Sequence, residues 1–136
     1  FADVYWDELK DYDPGWVFHG CLIGTAPAAA RLLHALFSGA LLRRPTLEQM
    51  LIRHDLGGPV PDRPWTRCGY GLGLMSGEMA PAGRAIGHSG GGPFGVNAVY
   101  HYPDLPTPTT VAAFAAGTSE GLAEYEALHT ALSLAG

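Results

Sequence analysis

The sequence predicts an α+β fold. Three observations carry that reading. Apolar residues recur at helical spacing in the first half, glycine-bounded runs of period two follow, and the last stretch returns to helical spacing. Helices do not alternate with strands, so the βαβ rhythm of a parallel sheet is absent and the strands are expected to pair antiparallel. At 136 residues the chain can bury a core of its own, and 47% apolar with 15% charged residues places it among globular proteins.

Residues 1–24 are aromatic and turn-rich, with Asp13-Pro14-Gly15 as the clearest turn. Thr25 is a good N-cap and Pro27 is tolerated in a first turn; Ala29, Leu32, Leu33, Leu36 and Phe37 then line one helical face, and Gly39 can close the helix. Thr46 and Gln49 make a capping-box pattern for a second, short helix whose apolar face is Leu47, Met50 and Leu51. From His54 to Gly69, Gly57, Gly58, Pro59, Pro61 and Pro64 predict a loop or crossover. Tyr70, Leu72 and Leu74 then alternate with glycines and Ser76; Val96, Ala98, Tyr100 and Tyr102 alternate with Asn97 and His101; Thr109–Ala116 is a further run. About four antiparallel strands are expected, with Asp104–Pro108 joining the last two. Ser119 can cap a final helix with Leu122, Tyr125, Leu128 and Leu132 on its buried face, and with Glu120, Glu124 and Glu126 toward its N-terminal half, where the dipole favours them. Residues 1–68 thus form the helical part and residues 69–136 the strands and closing helix, all within one fold.

Several function classes fall away. A net charge of −5 opposes nucleic-acid binding, which needs a basic face. That charge is local: Asp3, Asp7, Glu8, Asp11 and Asp13 against Lys10 leave −4 in the first thirteen residues, read as a solvated stretch. No apolar run approaches the ~20 residues of a membrane span. The chain opens on Phe1, so its natural beginning, with any targeting signal, is expected upstream, and localisation is left open. Cys21 and Cys68 allow one bridge but read better as two buried thiols. Neither they nor the six histidines have metal-ligand spacing, so no metal or other cofactor is expected. Gly90-Gly91-Gly92 lacks the Lys-Ser/Thr of a phosphate loop.

Gly87-His88-Ser89-Gly90-Gly91-Gly92-Pro93 is the segment dense in both catalytic side chains and glycine. It matches the letters of a G-x-S-x-G nucleophile elbow, but an elbow must run from strand into helix, and three glycines and a proline after Ser89 cannot begin one. It loosely resembles the Gly-Asp-Ser-Gly-Gly-Pro segment of chymotrypsin-like proteases, but His88 replaces the aspartate and a glycine is inserted. The third reading is the Lys-Thr-Gly box of penicillin-binding proteins and serine β-lactamases, on a strand beside the nucleophile. His88-Ser89-Gly90 fits it, with histidine for lysine and serine for threonine, and Gly91 stands where the next N–H is an oxyanion donor. Such a donor is worth roughly 3 kcal/mol of transition-state stabilisation.

The resemblance extends along the chain. Gly20-Cys21-Leu22-Ile23-Gly24-Thr25-Ala26, Leu41-Leu42 with Pro45-Thr46-Leu47 and Met50, Tyr70-Gly71-Leu72-Gly73, and Tyr102-Pro103-Asp104 come in an order and spacing similar to the C-terminal part of the class C β-lactamase, DD-peptidase, D-aminopeptidase and esterase superfamily. The resemblance implies part of a β-lactamase/transpeptidase-like fold in an acyl-enzyme serine hydrolase acting on a peptide, an ester or a β-lactam. His88 and Gly91 would be its catalytic groups here, and Ser89 and Gly90 its substrate-binding ones.

The chain also departs from that family. Its only lysine is Lys10, so there is no Ser-x-x-Lys; Tyr-x-Asn is absent as well, and Gly117-Thr118-Ser119 stands where the family has an asparagine after its late strand. The nucleophile is therefore expected in a missing N-terminal half, and this chain alone is expected to be inactive. His88 resembles peptidase-type members more than typical β-lactamases. The alternative is a non-catalytic binding or self-associating module, with His88 merely ordering a glycine loop. In either case a sheet lacking its neighbours should bind that missing half or a second copy in a homo-oligomer. Asn97, Trp6, Trp16, Trp65, His19, His34, His54, His101 and His129 are read as structural.

Overall fold

The computed structural model describes residues 24–92 and 95–136. The acidic stretch, the Asp13 turn, Cys21, Trp6 and Trp16 lie outside the described residues.

Helix α1 spans Ala26–Phe37. Thr25 caps it as expected, its hydroxyl oxygen accepting the Ala28 N–H at 3.3 Å. Past its end Gly39 takes a φ of 80°, the left-handed geometry that lets the chain leave a helix. Helix α2 spans Arg44–Met50. Its capping box does not form: Arg43 holds the N-cap position without a side-chain bond, and Thr46 lies inside the first turn. Pro45 explains the shift, because its fixed φ and missing N–H suit the first turn and start the helix upstream of Thr46.

Six strands follow: β1 (His54–Gly57), β2 (Trp65–Tyr70), β3 (Met75–Met79), β4 (Gly83–Gly91), β5 (Gly95–Tyr102) and β6 (Thr109–Ala116). They form one antiparallel sheet in the order β1-β2-β3-β4-β5-β6. Two expectations are corrected here. Residues 54–69 are not a loop; Pro59, Pro61 and Pro64 cluster in the β1–β2 connection and leave room for a strand on each side. The sheet thus begins at His54, inside the part expected to be helical. Nor do Tyr70, Leu72 and Leu74 share a strand: Tyr70 ends β2, Met75 opens β3, and the turn between them is closed by Gly71 N–H to Leu74 O at 2.8 Å.

Helix α3 spans Glu120–Ala135, with Ser119 at the N-cap position but without a side-chain cap bond. It packs on one face of the sheet against β4, β5 and β6, and α1 packs on the other against β5 and β6. On the α3 side lie Ala85, Val96, Ala98, Tyr100, Tyr102, Val111 and Ala113; on the α1 side Ile86 meets Leu33 and Leu74. The buried face of α3 differs from expectation. Leu128 is buried, but Leu122 and Tyr125 are 52% and 42% exposed, and Gly121, Ala123, Glu124, Ala127 and Ala131 face the sheet. Small residues let the helix backbone approach closely; a Cβ on Gly121 would lie 2.1 Å from the Asp62 carbonyl oxygen. Cys68 is free and buried, and burial pushes its thiol up from the ordinary value. Among the described residues, no helix is long and apolar enough to cross a membrane.

Candidate functional site

Residues 87–91 of the glycine motif form the second half of β4, Gly92 follows it, and Pro93 lies outside the described residues. Strand alternation sends Gly87, Ser89 and Gly91 toward α3, and Ile86, His88 and Gly90 toward the α1 side. Gly87 admits no side chain, because a Cβ there would lie 1.9 Å from the Val99 carbonyl oxygen. The close β4–β5 pairing depends on that.

The main chain is phased by one bond. Gly92 N–H donates to Gly95 O at 2.9 Å, and bonded and non-bonded pairs alternate along an antiparallel ladder. In the observed register, Gly90–Asn97 and His88–Val99 are then bonded pairs, whereas Gly91–Val96 and Ser89–Ala98 are not. The N–H and C=O groups of Ser89 and Gly91 therefore turn away from β5, toward β3. But β3 stops at the Met75–Gly87 pair. Among the described residues no strand covers β4 beyond Gly87, so these amides face an open edge.

His88 bends over that edge. Its Nδ1 contacts the outward carbonyl of Ser89, as the phasing requires, and its Nε2 pairs with the Tyr70 hydroxyl. The two rings meet edge to face, with centroids 5.8 Å apart and planes at 87°. His88 is exposed, and Gly90 beside it is bare on the same side, where a Cβ would approach only the Asn97 amide at 3.4 Å.

Ser89 points the other way. Its side chain is 3% exposed; the hydroxyl donates to Glu120 Oε2 at 2.6 Å and accepts from Arg63 Nη2 at 2.7 Å. Arg63 also binds both oxygens of Glu124, through Nε at 2.6 Å and through Nη2. Glu124, fully buried, accepts further hydrogen bonds from Trp65 Nε1 at 3.0 Å and from the Tyr100 hydroxyl at 2.7 Å. Burial alone would raise this carboxyl, but bonds from Arg63, Tyr100 and Trp65 prevail and hold it below its ordinary value. Burial, with the Glu124 charge beside it, drives the Tyr100 phenol up. Among the described residues, no buried side-chain nitrogen or oxygen lacks a partner. The cluster ties α3 to β2 and β4.

Of the residues expected at the site, the open edge therefore gathers the His88 imidazole, bare Gly90 and the Gly91 amide, with the Ser89 amide beside them. It does not gather the Ser89 hydroxyl, which α3 and Arg63 enclose. The sequence gives no sign of Tyr70 at this site, because its part depends on a partner eighteen positions away. The sequence places Glu124 in the dipole-favoured half of the last helix but gives no sign of its burial, since nothing local announces Arg63. Asn97, paired with Gly90, adjoins this edge from the β5 side and lines an apolar groove of about 570 Å3 with Ala28, Leu32, Val99 and Phe114. No protein-family model matches this sequence, and no curated protein matches it.

Proposed function

We propose that this chain supplies the oxyanion side and one wall of the active site of a β-lactamase-related serine hydrolase. Its nucleophile would come from a Ser-x-x-Lys segment outside the chain. The observation that carries the reading is the stretch of β4 that no described strand covers, where main-chain N–H groups of Ser89 and Gly91 turn away from β5 beside an exposed imidazole. Preorganised backbone donors at an edge a substrate can reach, and from which it would exclude water, are what an acyl-transfer transition state needs for its oxyanion. In this reading Gly91 donates to that oxyanion, bare Gly90 lets the acyl group lie against the strand, and His88 handles the leaving side. Ser89 contributes its backbone; its hydroxyl, already engaged by Arg63 and Glu120, anchors the strand rather than the substrate. The substrate class is a small acyl compound, peptide, ester or β-lactam, with no cofactor.

Because the nucleophile lies elsewhere, the chain alone should turn over neither a chromogenic cephalosporin nor a short-chain nitrophenyl ester. Turnover well above a Ser89→Ala control would make Ser89 the nucleophile and end this reading.

A second reading, a binding or self-associating module, is favoured by the groove, where Leu32 and Phe114 stand 57% and 40% exposed beside the edge strand β6. Apolar surface next to a strand edge with no neighbour among the described residues associates. Sedimentation should then show a concentration-dependent dimer that Phe114→Glu weakens. A monomer across the whole concentration range would remove the self-association.

A further inference from the structure

The partners of His88 define the course of a proton. The Ser89 carbonyl can only accept, so Nδ1 carries hydrogen. In a neutral imidazole that leaves Nε2 with its lone pair, and the Tyr70 O–H must donate to it. In an imidazolium both nitrogens donate, the Tyr70 oxygen accepts, and the phenol hydrogen is free to point outward. The two states keep the same contacts. They differ in the direction in which the phenol offers its hydrogen. Ser89 can hold Nδ1 in this way only because the ladder turns its carbonyl off β5 where β3 has ended. The Tyr70 ring is half-buried against the core while its hydroxyl meets the exposed His88.

We infer that Tyr70 and His88 form a proton relay in which the phenol meets the substrate and the imidazole stands behind it. The inference deepens the proposed acyl transfer and rests on it for the identity of the substrate. When a hydroxyl approaches, the Tyr70 oxygen takes its hydrogen while the phenol's own hydrogen passes to Nε2. The hydroxyl becomes an alkoxide, and His88 becomes an imidazolium still bonded through Nδ1 to Ser89. On the return, Tyr70 gives its hydrogen to the departing oxygen or nitrogen, and Nε2 gives its hydrogen back to the phenol. Protons and charge balance at each stage, and no external acid or base is consumed.

Nitrogen-15 NMR of the imidazole in the full chain tests the relay without any substrate. His88 is assigned by the loss of its signals in His88→Gln, and the ring is observed in its neutral form. Nδ1 should carry the hydrogen and Nε2 should not. Tyr70→Phe, shown by circular dichroism to be folded, should raise the share of the Nε2–H form. A wild-type ring mainly in the Nε2–H form, or a ratio indifferent to Tyr70→Phe, overturns the relay. A second measurement uses a protein joining this chain to a Ser-x-x-Lys segment. There, Tyr70→Phe and His88→Gln should each lower kcat by about 10²-fold or more, and the double variant no further. Losses that multiply would also overturn the relay. If every variant including the wild type lacks acyl transfer, the proposed function falls, and the tautomer result alone decides the relay.

Discussion

Arg63→Ala should destabilise the fold by about 3 kcal/mol or more, because it leaves the Glu124 carboxylate charged and unpaired inside the protein. Glu124 is wholly enclosed, and the Arg63 guanidinium is its only cationic partner among the described residues. Urea unfolding checks this: the midpoint should fall while the slope stays constant. Adding Glu124→Gln to Arg63→Ala should recover part of the loss, since the amide removes the charge and still accepts from Trp65 and Tyr100. A loss below about 1 kcal/mol would show that the pair is solvated in solution. The pH dependence has a definite sign. The folded Glu124 carboxyl lies below its ordinary value of 4.5, so its stabilisation is complete above that value and is lost as pH falls through the lowered one. In Arg63→Ala this acid-side loss should shrink.

Gly91→Pro should cut turnover by about 10²–10³-fold in an acyl-transferring protein that contains this chain, because it deletes an oxyanion donor. The position suits the test. Its N–H faces away from β5, so proline removes no ladder bond, and proline is tolerated at such edge positions. Gly91→Ala is the control: a Cβ there would meet Glu120 and Val96 at 3.5 and 3.6 Å, ordinary contact distances. Equal kcat/KM for the two folded variants would place the oxyanion hole elsewhere.

What the sequence discloses follows the range of the interactions. Thr25, Pro27 and Gly39 act within a few residues, and α1 begins and ends where they direct. The alternation of Val96, Ala98, Tyr100 and Tyr102 survives because every one of these side chains faces α3. The prolines after Gly58 concealed β1 and β2 because a dense run of turn residues swamps strands of four and six residues on its flanks. The burial of Glu124 is hidden from the sequence for another reason. A glutamate near a helix N-terminus is ordinarily solvated, and only a guanidinium from a remote loop converts that position into an interior one. Ser89 shows both limits: its place on a strand was legible, but the face its hydroxyl takes depends on Arg63 and α3.

Every strand is bonded to its neighbours in sequence, so each pairing closes a short loop and costs little chain entropy. The Arg63–Glu124 contact spans 61 positions and cannot form until the last helix docks. The barrier to folding should therefore be crossed with the hairpins assembled and this clasp still open. Arg63→Ala would then leave the rate of folding nearly unchanged and appear almost wholly as faster unfolding. The clasp would govern how long the folded chain lasts, not how quickly it forms.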